Sequence, residues 1–187
     1  MKTYVRKLPT LAIAFLLSGC ASLSKEECQQ GDWYGIGFSD GVQGRSLARF
    51  DQHREACAEH GVRVDISTYE TGRYKGLRRF CSASNAYRHG ELLQRYDGIC
   101  PAELEQDYLS NYIAGLEGAL QQTENHYDEL AKEFEDTERL LIYLEEKIAR
   151  KKVRKDLKEI DAEISNLRER RNMIFRLLKS AELMQSE

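Results

Sequence analysis

The pattern of apolar residues in the second half of the chain predicts a coiled coil. Apolar positions there advance in alternating steps of three and four residues, which places them on one face of a helix. The first such seam is formed by Ile113, Leu116, Leu120, Thr123, Tyr127, Leu130, Phe134, Thr137, Leu141, Leu144 and Ile148. The second is formed by Leu157, Ile160, Ile164, Leu167, Arg171, Ile174, Leu178 and Ala181. No proline follows Pro101 and no glycine follows Gly118, so strong helix breakers are missing from this region of the sequence.

The two seams do not share one heptad phase, which predicts a break between them. If the first seam is continued beyond Ile148, its heptad positions do not coincide with those of the second seam. The heptad phase is therefore lost between residues 149 and 156. The run Asp156-Leu157-Lys158-Glu159 is typical of a capped helix start. We therefore expect a turn or a discontinuity within 149–156.

The charge distribution favours a turn, and hence an antiparallel helical hairpin. Residues 121–146 contain nine acidic and two basic residues, whereas residues 147–179 contain twelve basic and five acidic residues. A hairpin folded about residue 152 would lay the acidic arm against the basic arm and leave 102–120 unpaired, free to dock on the preceding domain. The pairs expected in that register are Phe134 with Arg171, Leu130 with Ile174, and Tyr127 with Leu178.

A second arrangement of this region remains open from the sequence. One continuous helix could dimerise in parallel with a second copy of the chain, although acidic arms would then face each other. In the hairpin, the basic cluster at residues 150–155 would lie at the tip. Such a cluster can bind an anionic lipid or glycan, but a solvated turn is the simpler interpretation from sequence alone.

The first half of the chain is rich in glycine and predicts short helices. Ser24-Lys25-Glu26-Glu27 fits a capping box, and the face formed by Leu47, Phe50, Arg54 and Cys57 predicts a helix that ends before Gly61. Aromatic residues recur near glycines, and we expect their rings to cover the gaps that the glycines leave. The glycines at four-residue spacing predict close helix packing rather than catalysis. They are Gly37 and Gly41, and Gly72 and Gly76.

The N-terminal segment has the features of an export signal followed by a lipid attachment site. Lys2, Arg6 and Lys7 precede a short apolar stretch that ends at Leu17, too short to span a bilayer. Leu17-Ser18-Gly19-Cys20 resembles the lipobox of bacterial lipoproteins, in which the cysteine is lipidated and becomes the mature N-terminus. Because Ala21 rather than aspartate follows, the resemblance implies an outer-membrane location, facing the periplasm. The alternative is an ordinary signal peptide in which Cys20 occurs by chance.

The four other cysteines form an even set, which predicts two disulfides in an exported protein. These residues are Cys28, Cys57, Cys81 and Cys100. Three pairings are open, and we favour Cys28–Cys57 with Cys81–Cys100 because it joins neighbours along the chain. A metal site is the alternative interpretation, but the sequence has no C-x-x-C pair.

Composition and motifs argue against several functional classes. The 187 residues include 28 Lys and Arg against 31 Asp and Glu, a net charge of −3, which speaks against a nucleic-acid partner. The glycine run at 35–44 lacks the third glycine of a dinucleotide loop, because position 40 is aspartate. The four histidines do not have the spacing of a metal-binding helix. We therefore expect no metal, no cofactor and no enzymatic activity.

The cysteines, glycines and aromatic residues together resemble a known family of bacterial lipoproteins, domain of unknown function 2799. The resemblance extends over about residues 17–118 and has no established activity attached to it. The motifs that carry it are Cys28, Asp32-Trp33, Gly37-x-x-Asp40-Gly41-x-x-Gly44, His53-x-x-x-Cys57, Tyr69-x-x-Gly72-Arg73-x-x-Gly76-Leu77, Cys81, Tyr87-x-x-Gly90 and Tyr96-x-Gly98-x-Cys100-Pro101.

These observations predict an all-α protein with a small disulfide-stapled helical head and a long helical hairpin, an antiparallel coiled coil. We expect a cleaved signal peptide at 1–19, a lipidated linker at 20–24, the head at 25–120 and the hairpin at 121–187. The favoured function is a structural or protein-interaction module of the cell envelope, with a periplasmic protein as the partner of the coiled coil. The alternative is a ligand-binding or enzymatic head with a pocket around Trp33, Asp40, Tyr69 and Arg73.

Overall fold

A computed structural model of the chain describes residues 22–186, and over this range the protein is all-α, as the sequence predicts. Cys20 and the predicted signal peptide lie outside the described residues. Seven helices and no strand occur within the range. They are α1 (Lys25–Gln30), α2 (Trp33–Val42), α3 (Ala48–Ala58), α4 (Ile66–Phe80), α5 (Ala83–Glu91), α6 (Ala102–Tyr143) and α7 (Lys147–Gln185).

Short polar side chains fix the starts of the head helices. Ser24 and Glu27 form the predicted capping box of α1, with reciprocal bonds to each other's backbone N–H. Asp32 caps α2, and Asp65 caps α4 by accepting from the backbone N–H of Thr68. Because each side chain satisfies a backbone donor that the helix leaves free, the chain can change direction at these points.

Two disulfides join the head helices. Cys28 of α1 bonds to Cys57 of α3, and Cys81 at the end of α4 bonds to Cys100 just before α6. All four cysteines are buried. A bridge of this kind lowers the entropy of the unfolded chain, by about 2–4 kcal/mol in free-energy terms. The small head thereby gains stability that its limited core would not supply alone.

The head has two hydrophobic clusters, and α4 contributes to both. Its Tyr69 lies in the first cluster with Leu23, Trp33 and Phe50. Its Leu77 lies in the second cluster, which is built mainly from the segment between α5 and α6, the first part of α6 and the last part of α7. The helix α4 therefore connects the N-terminal side of the head to the base of the hairpin.

Helices α6 and α7 form an antiparallel hairpin. Gln106 near the start of α6 contacts Gln185 at the end of α7, whereas Tyr127 further along α6 contacts Arg168. As the contacts move towards the end of α6, their partners move towards the start of α7, so the two helices run in opposite directions. A third apolar cluster, with Leu130, Ile160 and Ile164 at its centre, packs the two arms together midway.

The position of the turn differs from the sequence prediction. The hairpin turns at residues 144–146 rather than within 149–156, and the side chain of Glu146, not Asp156, caps α7. Arg150 donates to the carbonyl oxygens of Leu141 and Leu144, at 3.0 and 2.9 Å. This arginine therefore satisfies the free carbonyls at the end of α6, a stop signal that heptad counting does not detect.

The earlier turn also shifts the register between the arms. The expected pairs Phe134–Arg171, Leu130–Ile174 and Tyr127–Leu178 are wrong, since Tyr127 meets Arg168 and Leu130 clusters with Ile160 and Ile164. Residues 102–120 are not unpaired either. The second arm extends back to the head, where Ile174 and Ala181 are buried with Tyr108 and Tyr112.

Opposite charges on the two arms form few direct pairs. Among the described residues, no lysine or arginine of one arm lies within 4 Å of a carboxylate of the other, and the His126 Nε2 atom lies 3.9 Å from the Glu163 carboxylate. Arg168 and Arg171 instead lie over the ring of Tyr127, at 5.5 and 5.9 Å from its centroid. Apolar packing and these cation–π contacts hold the arms, and the charge asymmetry acts over longer range.

Candidate functional site

Four glycines allow helices α2 and α4 to cross at backbone contact. A Cβ atom on Gly37 would overlap the carbonyl oxygen of Tyr69, and one on Gly41 would overlap that of Arg73. Reciprocally, Cβ atoms on Gly72 and Gly76 would overlap the carbonyls of Tyr34 and Phe38. Because the contacted carbonyl advances along α4 as the glycine advances along α2, the two helices run in the same direction.

A second crossing of the same kind joins α5 to α6. A Cβ on Gly90 would overlap the carbonyl oxygen of Tyr112, and one on Gly115 would overlap that of Tyr87. Both crossings thus use a repeated Tyr-x-x-Gly unit, in which the tyrosine carbonyl of one helix faces the glycine of the other. The units are Tyr34–Gly37, Tyr69–Gly72, Tyr87–Gly90 and Tyr112–Gly115.

The crossings correct the expected role of the aromatic residues. Backbone carbonyls, not aromatic rings, fill the space beside the paired glycines. Tyr69 and Tyr112 point their rings into the two core clusters instead. The repeat is therefore a backbone-packing unit, and the aromatic side chains are core residues that accompany it.

Behind the first crossing lies a buried polar network. His53 of α3 contacts the Asp40 carboxylate through Nε2 at 2.9 Å and the Ser22 hydroxyl through Nδ1 at 2.9 Å. Tyr69 of α4 donates its hydroxyl to the same Asp40 oxygen at 2.7 Å. His53 and Tyr69 are 2 % and 0 % exposed. Three helices and the segment before α1 thus converge on one carboxylate.

The network holds Asp40 in its ionised form. Burial acts to raise the pKa of Asp40, but hydrogen bonds from His53 and Tyr69 more than offset it, so the pKa lies below its ordinary value. Burial, together with the bond to Asp40, raises the pKa of Tyr69 and keeps its hydroxyl protonated. With Asp40 ionised, His53 donates to it from Nε2, and the Nδ1 atom is hydrogen-bonded to the Ser22 hydroxyl at 2.9 Å, as donor or acceptor according to the tautomer.

An open cavity of about 440 Å³ lies beside this network. Ser22, Asp40 and His53 form part of its wall, and Arg45 and Arg49 stand at one side. Arg49 also borders a neighbouring cavity of about 500 Å³. Its Nη1 donates to Gln52 at 2.7 Å. The cavity is therefore polar and mixed in charge, with two cationic side chains near the buried carboxylate.

Of the four residues of the predicted pocket, the structure brings two together. Asp40 and Tyr69 share a hydrogen bond, and Asp40 lines the cavity. Trp33 is 8 % exposed and packs into the first cluster. Arg73 donates to the backbone carbonyl of Arg45, at 2.9 Å from Nη2. Ser22 and His53 are not among the residues predicted for the pocket, and these two complete the network.

The network has part of the geometry of a nucleophile with its general base. A serine hydroxyl that donates to a histidine oriented by a carboxylate is the arrangement of serine hydrolases. Stabilising the oxyanion would require further donors beside Ser22. The nearby backbone N–H groups of Ser24 and Glu27 are both engaged in the capping box. What the contacts do directly is hold the segment at Ser22 and the buried Leu23 against the head.

The buried tyrosines of the second cluster are hydrogen-bonded within the fold. Tyr96 donates to Glu105, Tyr112 donates to the carbonyl of Gln94, and Tyr108 is hydrogen-bonded to His89 at 2.7 Å. Burial lowers the pKa of His89, and the neighbouring Arg88 adds to that effect. The rings of these tyrosines lie with centroids 4.3–6.2 Å apart, and those of Tyr108 and Tyr112 are stacked. This second cluster is a packed base for the hairpin.

The other exposed feature of note is the tip of the hairpin, which we define as residues 140–158. Ile142, Tyr143 and Ile148 are 76 %, 81 % and 77 % exposed. An open groove of about 690 Å³ runs beside Ile148 and Leu157 and is bordered by lysines. The tip thus combines large exposed apolar side chains with basic residues.

Within residues 22–186, no helix is both long enough and apolar enough to cross a bilayer. Over the same range, no group of three or more histidine, cysteine or acidic residues is arranged to hold a metal ion.

Comparison with known proteins identifies one family. No curated protein and no solved structure is significantly similar to the chain. The family "Protein of unknown function (DUF2799)" matches residues 32–117, a shorter range than the 17–118 of the sequence resemblance. The matched range contains both glycine crossings and three members of the buried network, Asp40, His53 and Tyr69. The recognition from sequence is therefore confirmed, because the DUF2799 family model matches residues 32–117 of the chain.

Proposed function

We propose that the protein is a lipoprotein of the bacterial cell envelope, attached by lipid at Cys20 to the outer membrane and facing the periplasm. Its role is structural or interactive, with the hairpin presented to a partner in the envelope. The observation that carries this proposal is the exposed tip, where Ile142, Tyr143 and Ile148 lie about 35 Å along α6 from the head core.

The head supports the proposal from the other end of the molecule. Ser22 and Leu23 are held against α2 and α3 by the hydrogen bond to His53 and by burial in the first cluster. Two residues of extended chain span at most about 7 Å. A lipid on Cys20 would therefore keep the first cluster of the head close to the membrane surface.

The anchor is tested by metabolic labelling with an acyl-chain analogue. We expect the label to be lost in Cys20→Ala and retained in Ser22→Ala, which alters a neighbouring side chain but not the thiol. Ala21→Asp should move the labelled protein from the outer-membrane to the inner-membrane fraction. Label that persists in Cys20→Ala would exclude lipid attachment at this residue.

The interaction role is tested by photo-crosslinking in cells. A photoreactive amino acid at Tyr143 should give crosslinks to an envelope component. The same amino acid at Tyr87, which is 40 % exposed on α5, serves as the control and should give fewer. Equal crosslinking from both positions would mean that the tip is not a preferred contact.

One observation favours a second candidate function, a hydrolytic head. Ser22, His53 and Asp40 have the order of hydrogen bonds that activates a serine. A fluorophosphonate probe distinguishes the two functions. Labelling of the chain that is abolished by Ser22→Ala and by His53→Gln would support an enzyme. Absence of labelling, with the chain folded, would leave the network as the device that holds residues 22 and 23.

A further inference from the structure

We propose that the tip of the hairpin, residues 140–158, binds the surface of a bilayer that contains anionic phospholipid. The apolar part of this surface is large for the end of a hairpin. Leu140, Ile142, Tyr143 and Ile148 are 53 %, 76 %, 81 % and 77 % exposed. They lie on both sides of the turn, so the apolar side chains form the end of the molecule.

The fold does not require these exposed side chains. Helix α6 ends at Tyr143, and Arg150 satisfies the carbonyls of Leu141 and Leu144. Ile148 continues the heptad pattern of the first seam, but α6 has ended and gives it no partner. The Glu146 side chain caps α7 at 2.7 Å from the Ala149 nitrogen. Polar contacts therefore make the turn, and the apolar residues beside it remain free for binding.

The charge of the tip is complementary to an anionic surface. Residues 140–158 contain seven basic and three acidic residues. Of the acidic ones, Glu146 is used as the cap of α7. Just beyond the tip, Glu159 pairs with Lys155 at 3.0 Å. The exposed basic residues are Lys147, Lys151, Lys152, Arg154, Lys155 and Lys158.

The same residues favour a lipid surface over a protein. Protein interfaces are depleted in lysine, and their core is formed by residues that are removed from water on both sides. Five of the six exposed basic residues here are lysines, whose long stems can lie along an apolar layer while the ammonium groups reach the phosphates. Tyrosine beside isoleucines is suited to the boundary between headgroups and acyl chains.

This inference names the partner of the tip and rests on the proposed function only in treating the tip as the interacting end. It does not require a lipid on Cys20. Each basic residue near an anionic surface contributes about fivefold to the partition constant. Replacing two lysines should therefore weaken binding about 25-fold, and the effect should diminish at high salt.

Vesicle flotation tests the inference with the chain from residue 20 onward, carrying Cys20→Ala in every sample, so that neither an acyl group nor the apolar N-terminal segment contributes. The vesicles are phosphatidylcholine alone or phosphatidylcholine mixed with phosphatidylglycerol. We expect binding to the mixed vesicles, about 25-fold weaker binding for Lys151→Gln with Lys152→Gln, and a marked loss for Ile142→Ser with Ile148→Ser. All of these side chains are exposed, so the variants keep the packed core.

Matched controls alter exposed residues far from the tip. Arg63→Gln with Lys75→Gln removes two positive charges from exposed positions, and Leu92→Ser with Leu183→Ser removes two exposed leucines. Both control pairs should bind as the parent does. Tyr143→Trp provides a depth signal, because brominated acyl chains should quench it, whereas Trp33 is 8 % exposed in the head.

The outcomes separate this inference from the proposed function. Equal binding of the tip variants and their controls, or no preference for phosphatidylglycerol, would overturn lipid binding by the tip. If vesicle binding is lacking and the crosslinks from Tyr143 reach a protein, the tip is a protein-binding surface instead. Loss of acyl labelling in Cys20→Ala reports on the anchor alone, whatever the vesicles show.

Discussion

Alanine at Gly76 directly perturbs the crossing of α2 and α4. The new Cβ would overlap the carbonyl oxygen of Phe38 and lie 2.7 Å from the Val42 nitrogen and 2.9 Å from the Gly41 Cα. All three are backbone atoms inside or at the end of α2, so no side-chain rotation relieves the contact. The two helices would have to separate by about 1 Å to restore ordinary van der Waals distances.

The expected loss of stability follows from two opposing effects. Inserting a methyl group into a packed contact costs about 1–3 kcal/mol, and the higher figure applies where backbone atoms must move. Alanine is favoured over glycine by about 1 kcal/mol inside a helix. The net loss is about 2 kcal/mol in the free energy of unfolding, or a fall in Tm of about 4–8 °C for a chain of this size.

Gly118→Ala is the matched control, because Gly118 is also inside a helix but faces only the end of a side chain. A Cβ there would lie 3.2 Å from the Tyr87 hydroxyl, which can shift. This substitution should stabilise the protein by up to about 1 kcal/mol. Urea and thermal unfolding, followed by circular dichroism with the disulfides intact, measure both variants. If Gly76→Ala is as stable as Gly118→Ala, the backbone crossing does not constrain the fold as argued.

Three further predictions test other parts of the fold. Replacing both Cys28 and Cys57 with serine should lower the free energy of unfolding by about 3 kcal/mol, since the bridge closes a separation of 29 residues; an unchanged urea midpoint would contradict this. The lowered pKa of Asp40 adds stability that is present above pH 4 and lost as the pH falls further; acid unfolding of Asp40→Asn should therefore depend less on pH than that of the parent. Spin labels at His126 and Glu163 should lie within about 20 Å of each other in dilute monomer, whereas about 55 Å would indicate one extended helix.

Local patterns in the sequence predicted the elements of the fold well. The capping box at Ser24, the all-α class and the two long helices follow from signals within a few residues of each other. The predicted position of the turn lies too far along the chain, because heptad spacing assigns Leu144 and Ile148 to a continuing seam. Arg150 satisfies the last carbonyls of α6 and Glu146 caps the start of α7, and neither residue alters the apolar pattern.

The buried network was only partly predictable. Asp40, His53 and Tyr69 come from three helices, and Ser22 from the segment before them, so no fixed spacing connects them. All three helical members do occur in the motifs through which the chain resembles its family. Among the residues of these motifs, a carboxylate, a histidine and a tyrosine can form one hydrogen-bonded network. This shared chemistry is the signal that could have grouped the three residues.

Helix α4 connects the N-terminal network of the protein to the base of the hairpin. Tyr69, in the first half of α4, joins the network that holds Ser22, and Leu77, in its second half, packs into the cluster that buries Ile174 of α7. These residues are eight positions apart, about 12 Å along the helix. Helix α6 continues from the head core to the turn without a break, so it provides no hinge between them. A lipid near Ser22 would therefore fix the direction in which the hairpin points, and loosening the glycine crossing should disturb tip binding as well as stability.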